Sequence, residues 1–190
     1  MGKTIYAGLC AVVIGISAFG AFAQEAPVFF KAPAEGTVLE FLRENGNTLL
    51  FKVEKVDGQV VSLNGGNRYI SFALQVGNTL SITDEEGAKI AAIFPLEVGK
   101  KVNSGHTFKN PQSGASFPQS DSIEVQKIEE LSVPAGSFKT WLIRTDIYGN
   151  NYSAIRRCWF APEVGFCAKD SFEDSRGAKW ARELKSVKAP

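Results

Sequence analysis

From Thr37 onward, apolar and polar residues alternate in short runs, each closed by turn-forming residues. Thr37 to Arg43 ends at Glu44-Asn45-Gly46-Asn47, Thr48 to Val56 at Asp57-Gly58, and Gln59 to Leu63 at Asn64-Gly65-Gly66-Asn67. Arg68 to Leu74 ends near Gly77-Asn78, and Leu80 to Thr83 ends at Asp84-Glu85-Glu86-Gly87. A period of two marks a strand with one buried face, and Asn-Gly, Asp-Gly and Gly-Gly pairs tolerate the positive φ of tight hairpins. Longer runs follow, predicted at Lys101–Phe108, Ser122–Leu131, Phe138–Ile147, Tyr152–Phe160, Phe166–Glu173 and Ala178–Val187. The pattern predicts an all-β fold: a single strongly curved antiparallel sheet, a half-open β-clam or barrel-like meander, of about eleven to twelve strands. No long helical pattern stands among them. Asn110 to Gln119, rich in Pro, Gly, Ser and Gln, reads as a loop, and Pro/Ala-rich Glu25 to Glu35 as an extended arm.

Alternation assigns one face of each strand to the interior. The sets are Leu49, Phe51 and Val53; Ile70, Phe72 and Leu74; Trp141, Ile143 and Ile147; Ile155 and Trp159; Phe166, Ala168 and Phe172; Trp180 and Leu184. Aromatic rings bury about 150–250 Å² each, more than one face of an open sheet can cover. The sheet must curl, close, or clasp a helix or a ligand. Arg157 falls on the face of Ile155 and Trp159, where a charge needs a partner or an outlet to water. It forms a salt bridge or reaches the rim, or else it holds an anionic headgroup or locks a lid. Arg182, with Trp180 and Leu184, poses the same question. The expected ligand-binding set is Trp141, Ile143, Ile155, Arg157, Trp159 and Trp180.

The N-terminus sets the expected compartment. Lys3, the apolar run Ile5 to Phe19 and the small residues of Ala21-Phe22-Ala23 have the layout of a secretory signal peptide, with cleavage after Ala23. The apolar run is short and Gly-rich against the ~20 residues of a spanning helix, so no stable membrane span is expected. Gly8-Leu9 before Cys10 is a poor lipoprotein cleavage box. The expected organisation is a signal peptide at 1–23, an arm at 24–35 and a single β domain at 36–190, periplasmic or secreted in a bacterium. Cleavage removes one of 21 basic residues and leaves 20 acidic ones in place, a net charge near zero. That balance excludes a nucleic-acid role, which needs a basic face.

In an oxidising compartment, Cys158 and Cys167 suggest one disulfide. A hairpin turning at Pro162-Glu163 sets them directly opposite, near the ~3.5–4.5 Å Cβ separation a disulfide prefers. Strand alternation places the pair outside, with Lys169 and Ser171.

Catalytic constellations are not found. His106, the one histidine, lies between polar residues and reads as solvated. There is no Gly-x-Ser-x-Gly elbow, no zinc ligand set, and Phe94 stands where a phosphate loop ending at Gly99-Lys100 needs Gly. Glu85-Glu86 and Glu129-Glu130 read as solvated neighbours that cannot share a proton across a strand. No catalytic residue, metal or cofactor is expected.

Three ordered segments carry a resemblance. Ile93-Phe94-Pro95-Leu96-Glu97-Val98-Gly99-Lys100 resembles the "FPL-x-VGK" segment of a group of bacterial envelope proteins of unknown function. Val133-Pro134-Ala135-Gly136-Ser137-Phe138 resembles its "VPAGTF" turn, and Trp159-Phe160-Ala161-Pro162-Glu163-Val164-Gly165 its "WYAPEVG" hairpin. Such proteins are similar in architecture to the lipoprotein-localisation factors LolA and LolB, which implies a curved sheet with an apolar concave face. Carriers of that kind cover the face with helices; here the arm or the Asn110–Gln119 loop would have to do so. Two functions remain. One is a non-enzymatic module binding a lipid, an acyl chain or a lipoprotein tail. The other is a protein-interaction subunit of an envelope or secretion assembly.

Overall fold

The computed structural model describes residues 26–70, 74–76, 80–81, 83–110 and 113–190, without the side chains of 74–76 and 80–81. The signal segment with Cys10, Gln24, Glu25, Phe72 and the turn at Gly77-Asn78 lie outside the described residues. The strands are β1 (Val38–Arg43), β2 (Thr48–Asp57), β3 (Val60–Leu63), β4 (Asn67–Ile70), β5 (Leu74–Val76), β6 (Leu80–Ser81), β7 (Lys101–Lys109), β8 (Ser116–Val133), β9 (Gly136–Gly149), β10 (Tyr152–Ala161), β11 (Phe166–Asp174) and β12 (Lys179–Lys188). They form a 12-stranded sheet in the order β5-β4-β3-β2-β1-β12-β11-β10-β9-β8-β7-β6. Every ladder is antiparallel. Each neighbour is also a sequence neighbour except at β1–β12, where the first strand meets the last. The free edges, β5 and β6, are consecutive in the chain, so the sheet curls into a half-barrel open between them.

The turns follow the expected chemistry. Tyr152 pairs with Gly149, leaving a two-residue loop in which Asn151 takes φ 54°. Asn is the side chain that best tolerates that region. The expected loop Asn110–Gln119 is corrected at its C-terminal end: Ser116 to Gln119 belong to β8, paired with β7 as far as Lys109. The expected strand Arg68–Leu74 is found as β4 and the start of β5.

One element was not expected. Asp84–Ala91 is a helix, α1, where Asp84 to Gly87 reads as a turn. Its cap explains it. The Thr83 hydroxyl accepts from the Glu86 amide, Asp84, Glu85 and Glu86 fill the first turn, and Lys89 sits in the last. The Glu86 carboxylate reaches beyond the helix, accepting from the Gly105 amide (2.7 Å) and the Ser104 hydroxyl (3.0 Å) of β7. Lys89 and these two donors hold it down to a pKa of about 2.

The concave face packs on the protein itself. Ile90 of α1 and Ile93, Phe94 and Leu96 after it are buried with Leu39, Phe41, Val53, Val125, Ile143 and Phe160 of the sheet. The arm adds Val28, Phe30 and Ala32, at the period of a strand. The Leu96 amide donates to the Val28 carbonyl (2.8 Å), and the Phe30 ring lies 5.2 Å from Phe94 and 6.4 Å from Phe160. At the same end of the sheet as the β10–β11 turn, the tip of the long β8–β9 hairpin folds over: Ala135 donates to the Leu184 carbonyl of β12, and Val133 is buried. The three segments behind the family resemblance thus act together as packing pieces. The first and third seat the arm, and the second caps β12.

Cys158 and Cys167 form the expected disulfide, with Cα atoms 5.4 Å apart. Its setting is corrected. Trp159 pairs with Lys169 but Phe160 with Cys167, so Ala168 is an extra residue and the bond runs diagonally across a bulge. The bulge also reverses the alternation, and both cysteines are buried in the core rather than outside. Closing so short a loop is worth about 2–3 kcal/mol in the chain-entropy account. The Cys158→Ala, Cys167→Ala double variant is therefore expected to lose about that much in urea unfolding; an unchanged midpoint would show that the bond contributes nothing to stability.

Candidate functional site

The interior of β7 to β12 carries two polar clusters, and each begins with the register. On β10, Ala154, Arg156, Cys158 and Phe160 stand opposite Ile147, Thr145, Ile143 and Trp141 of β9. These share the inner face. Arg156 is therefore inside and 6% exposed. Its Nε and Nη2 donate to the two carboxylate oxygens of Asp170, each at 3.0 Å. Asp170 has no exposed surface. Arg182 of β12, opposite Asp170, donates to the same carboxylate at 2.6 Å and to the Tyr69 hydroxyl at 3.0 Å. Its guanidinium carbon lies 4.8 Å from the Phe51 ring centroid, 5.1 Å from Trp180 and 5.2 Å from Phe41. Burial works against the Arg182 charge, but Asp170 and Tyr69 outweigh it and its pKa is raised. Beside the cluster, the half-buried rings of Phe172 and Trp180 stack at 5.8 Å and 14°.

The second cluster corrects the reading of His106. The imidazole is buried on the β7–β8 ladder, not solvated. Its Nδ1 lies 2.7 Å from Asp121 Oδ2, and its Nε2 lies 2.8 Å from Gln119 Oε1. Two acceptors suit an imidazolium that donates from both nitrogens. Burial lowers the His106 pKa, but the Asp121 bond and charge and the Gln119 bond together raise it above the ordinary 6.5. The neighbouring Ser104 hydroxyl is engaged by Glu86, so the described contacts make no Ser–His relay. A pKa raised on folding gives stability that is fully present below pH 6.5 and lost as pH rises through the folded value. The urea midpoint is thus expected to fall above about pH 6.5, and His106→Gln to flatten that fall. An unaltered profile in the variant would rule out His106 as its source.

The expected ligand-binding set divides. Trp141, Ile143 and Trp180 lie on the inner face, the first two buried. Ile155, Arg157 and Trp159 lie on the outer face, opposite Asp146, Arg144 and Leu142, which corrects their expected position. Arg157 is held by Glu173 at 2.8 Å, the salt bridge its first expectation named. The Trp159 indole donates to Glu129 at 2.8 Å, and the Lys169 ammonium lies 5.7 Å from its ring centroid. Glu86 and Glu129, read as solvated, each have these specific partners. The physical reason for the reversal lies in the register with the partner strands. Ala154, Cys158 and Phe160 make as apolar a set as Ile155 and Trp159, and the bulge at Ala168 hides the register. The adjacent pair Arg156-Arg157 did carry a signal, because one of two consecutive strand residues always faces in.

No family model matches this chain, and no curated protein matches it. Among solved structures, it is similar to a Bacteroides fragilis protein described as exported and YmcC-like in fold (TM-score 0.39, 12% identity, 85% of this chain and 99% of that one). It is also similar to a Parabacteroides distasonis protein described as a lipoprotein (TM-score 0.39, 14% identity, 86% and 100%). Its likeness to the hypothetical lipoprotein YmcC of Escherichia coli (K12) covers 84% of this chain and 89% of that one at 9% identity, with a TM-score of 0.52. The curled antiparallel sheet described above is therefore similar in fold to that of YmcC.

Proposed function

We propose that this is an exported, non-catalytic binding protein whose curved sheet holds an apolar ligand, a lipid, an acyl chain or a lipoprotein tail, on its inner face. The observation that carries the reading is the Phe172–Trp180 stack. It is a half-buried aromatic surface on the inner side of β11 and β12. The signal-peptide layout and the resemblance to LolA-like envelope proteins agree with it. A second reading, an interaction subunit of an envelope assembly, draws on a different observation: α1, the 93–96 segment and the arm already fill much of the concavity.

Expression from Gln24 with export to the periplasm, organic extraction and mass spectrometry test the choice. A stoichiometric acyl species, lost in Trp180→Ala, supports the carrier. A folded chain without any acyl species sinks it and favours the interaction reading.

A further inference from the structure

The inner face beside Trp180 holds more than apolar surface. Arg156 and Arg182 are both more than nine-tenths buried, and Asp170 is the carboxylate bonded to both. The other buried carboxylate of the described residues, Asp121, is engaged with His106 on β7–β8. Residues 71–82, which follow Tyr69 and Ile70 in the chain, include no Asp, Glu, Lys or Arg. Arg43, opposite Arg182 across the β1–β12 ladder, is exposed and basic. Among the described residues, two guanidiniums thus share one buried carboxylate. A charge so placed is costly unless a counter-charge meets it. One donor is left over as well: Arg182 Nε is buried and has no hydrogen-bond acceptor among the described residues.

We infer that Arg182, with Arg156 behind it, receives the anionic head, a carboxylate or a phosphate, of an amphiphile whose apolar body lies on Phe172 and Trp180. The inference rests on the carrier reading and names the class of ligand. Chemistry and position agree. A guanidinium presents planar, charge-assisted donors that suit carboxylate and phosphate oxygens. Trp180 lies in contact with Arg182 and stacked on Phe172, so head and body sites are continuous. The Tyr69 hydroxyl, bonded to Arg182, stands where it can shift to the incoming oxygen.

Dodecanoate, methyl dodecanoate and inorganic phosphate, each titrated into the delipidated full mature protein by calorimetry, test the inference. Dodecanoate is expected to bind about tenfold or more tighter than its ester, the value of one charge-assisted bond. Arg182→Met, which leaves Arg156 and Asp170 as a neutral pair, is expected to erase that preference, so that acid and ester bind alike. Equal affinity for acid and ester in the wild-type protein overturns the inference and leaves the carrier reading standing. Binding of neither chain overturns the carrier reading, and the inference with it. Binding of phosphate as tightly as dodecanoate overturns the amphiphile, because the apolar body would then contribute nothing. Should Arg182→Met fail to fold, the wild-type comparison of acid with ester still decides.

Discussion

Asp170→Asn is expected to cost about 3–5 kcal/mol, the range for removing one partner from a buried ion cluster. The side chain keeps its shape and loses its charge, leaving two buried guanidiniums with no carboxylate between them. Asp170 accepts three hydrogen bonds, two from Arg156 and one from Arg182, and its neutral amide can satisfy only some of them. Against a typical total stability of about 5–15 kcal/mol, the loss is a large share. Arg182→Met serves as the contrast. It removes one of the two guanidiniums, keeps the two-point Arg156–Asp170 bond, and packs a side chain of similar length among Phe41, Phe51 and Trp180. Its cost is expected to stay under about 1.5 kcal/mol. Urea midpoints with unchanged slopes check both. Equal losses in the two variants would mean that charge balance does not govern the cluster.

Much of this fold is written in residue pairs of short range. Asn-Asn at 150–151, Asp57-Gly58 and the alternating runs between them mark hairpins, and a chain of hairpins becomes a meander. The site is written over longer range, and there alternation misleads. The inner face of β10 is decided by its partners: Thr145 and Ile143 of β9 on one side, Phe172 and Asp170 of β11 on the other. The extra residue Ala168 moves Cys167 inward, and no local signal near Pro162 reveals it. His106 misleads for the same reason. The Thr107 side chain beside it points to the opposite strand face, while Asp121 and Gln119, on the next strand, set its environment. The helix was more accessible. Thr83 followed three residues later by Glu86 is a capping pattern, but Gly87 after it reads as a turn.

Gly165→Ala is expected to be the second most damaging single change, at about 2–4 kcal/mol, through the arm rather than through the turn alone. Gly165 takes φ +70°, where a Cβ costs about 1–2 kcal/mol. The added carbon would also stand 2.3 Å from the Lys31 carbonyl oxygen and 3.1 Å from the Pro33 nitrogen. Both are backbone atoms, so the arm has to lift as a piece. Lifting takes Phe30 off Phe94 and Phe160 and breaks the Val28–Leu96 bridge. This makes a specific demand on a double variant. Phe30→Ala alone removes a half-buried ring and destabilises; in a Gly165→Ala background the ring is already displaced, so the second change should add little. Neighbouring sites that share one structural response are coupled by about 0.5–3 kcal/mol, and urea unfolding of the four proteins measures that coupling. Additive losses would show that the arm keeps its seat, with the turn alone absorbing the strain. A coupled result would make the arm and the Phe160–Gly165 hairpin one cooperative unit, joined through the Phe30, Phe94 and Phe160 rings.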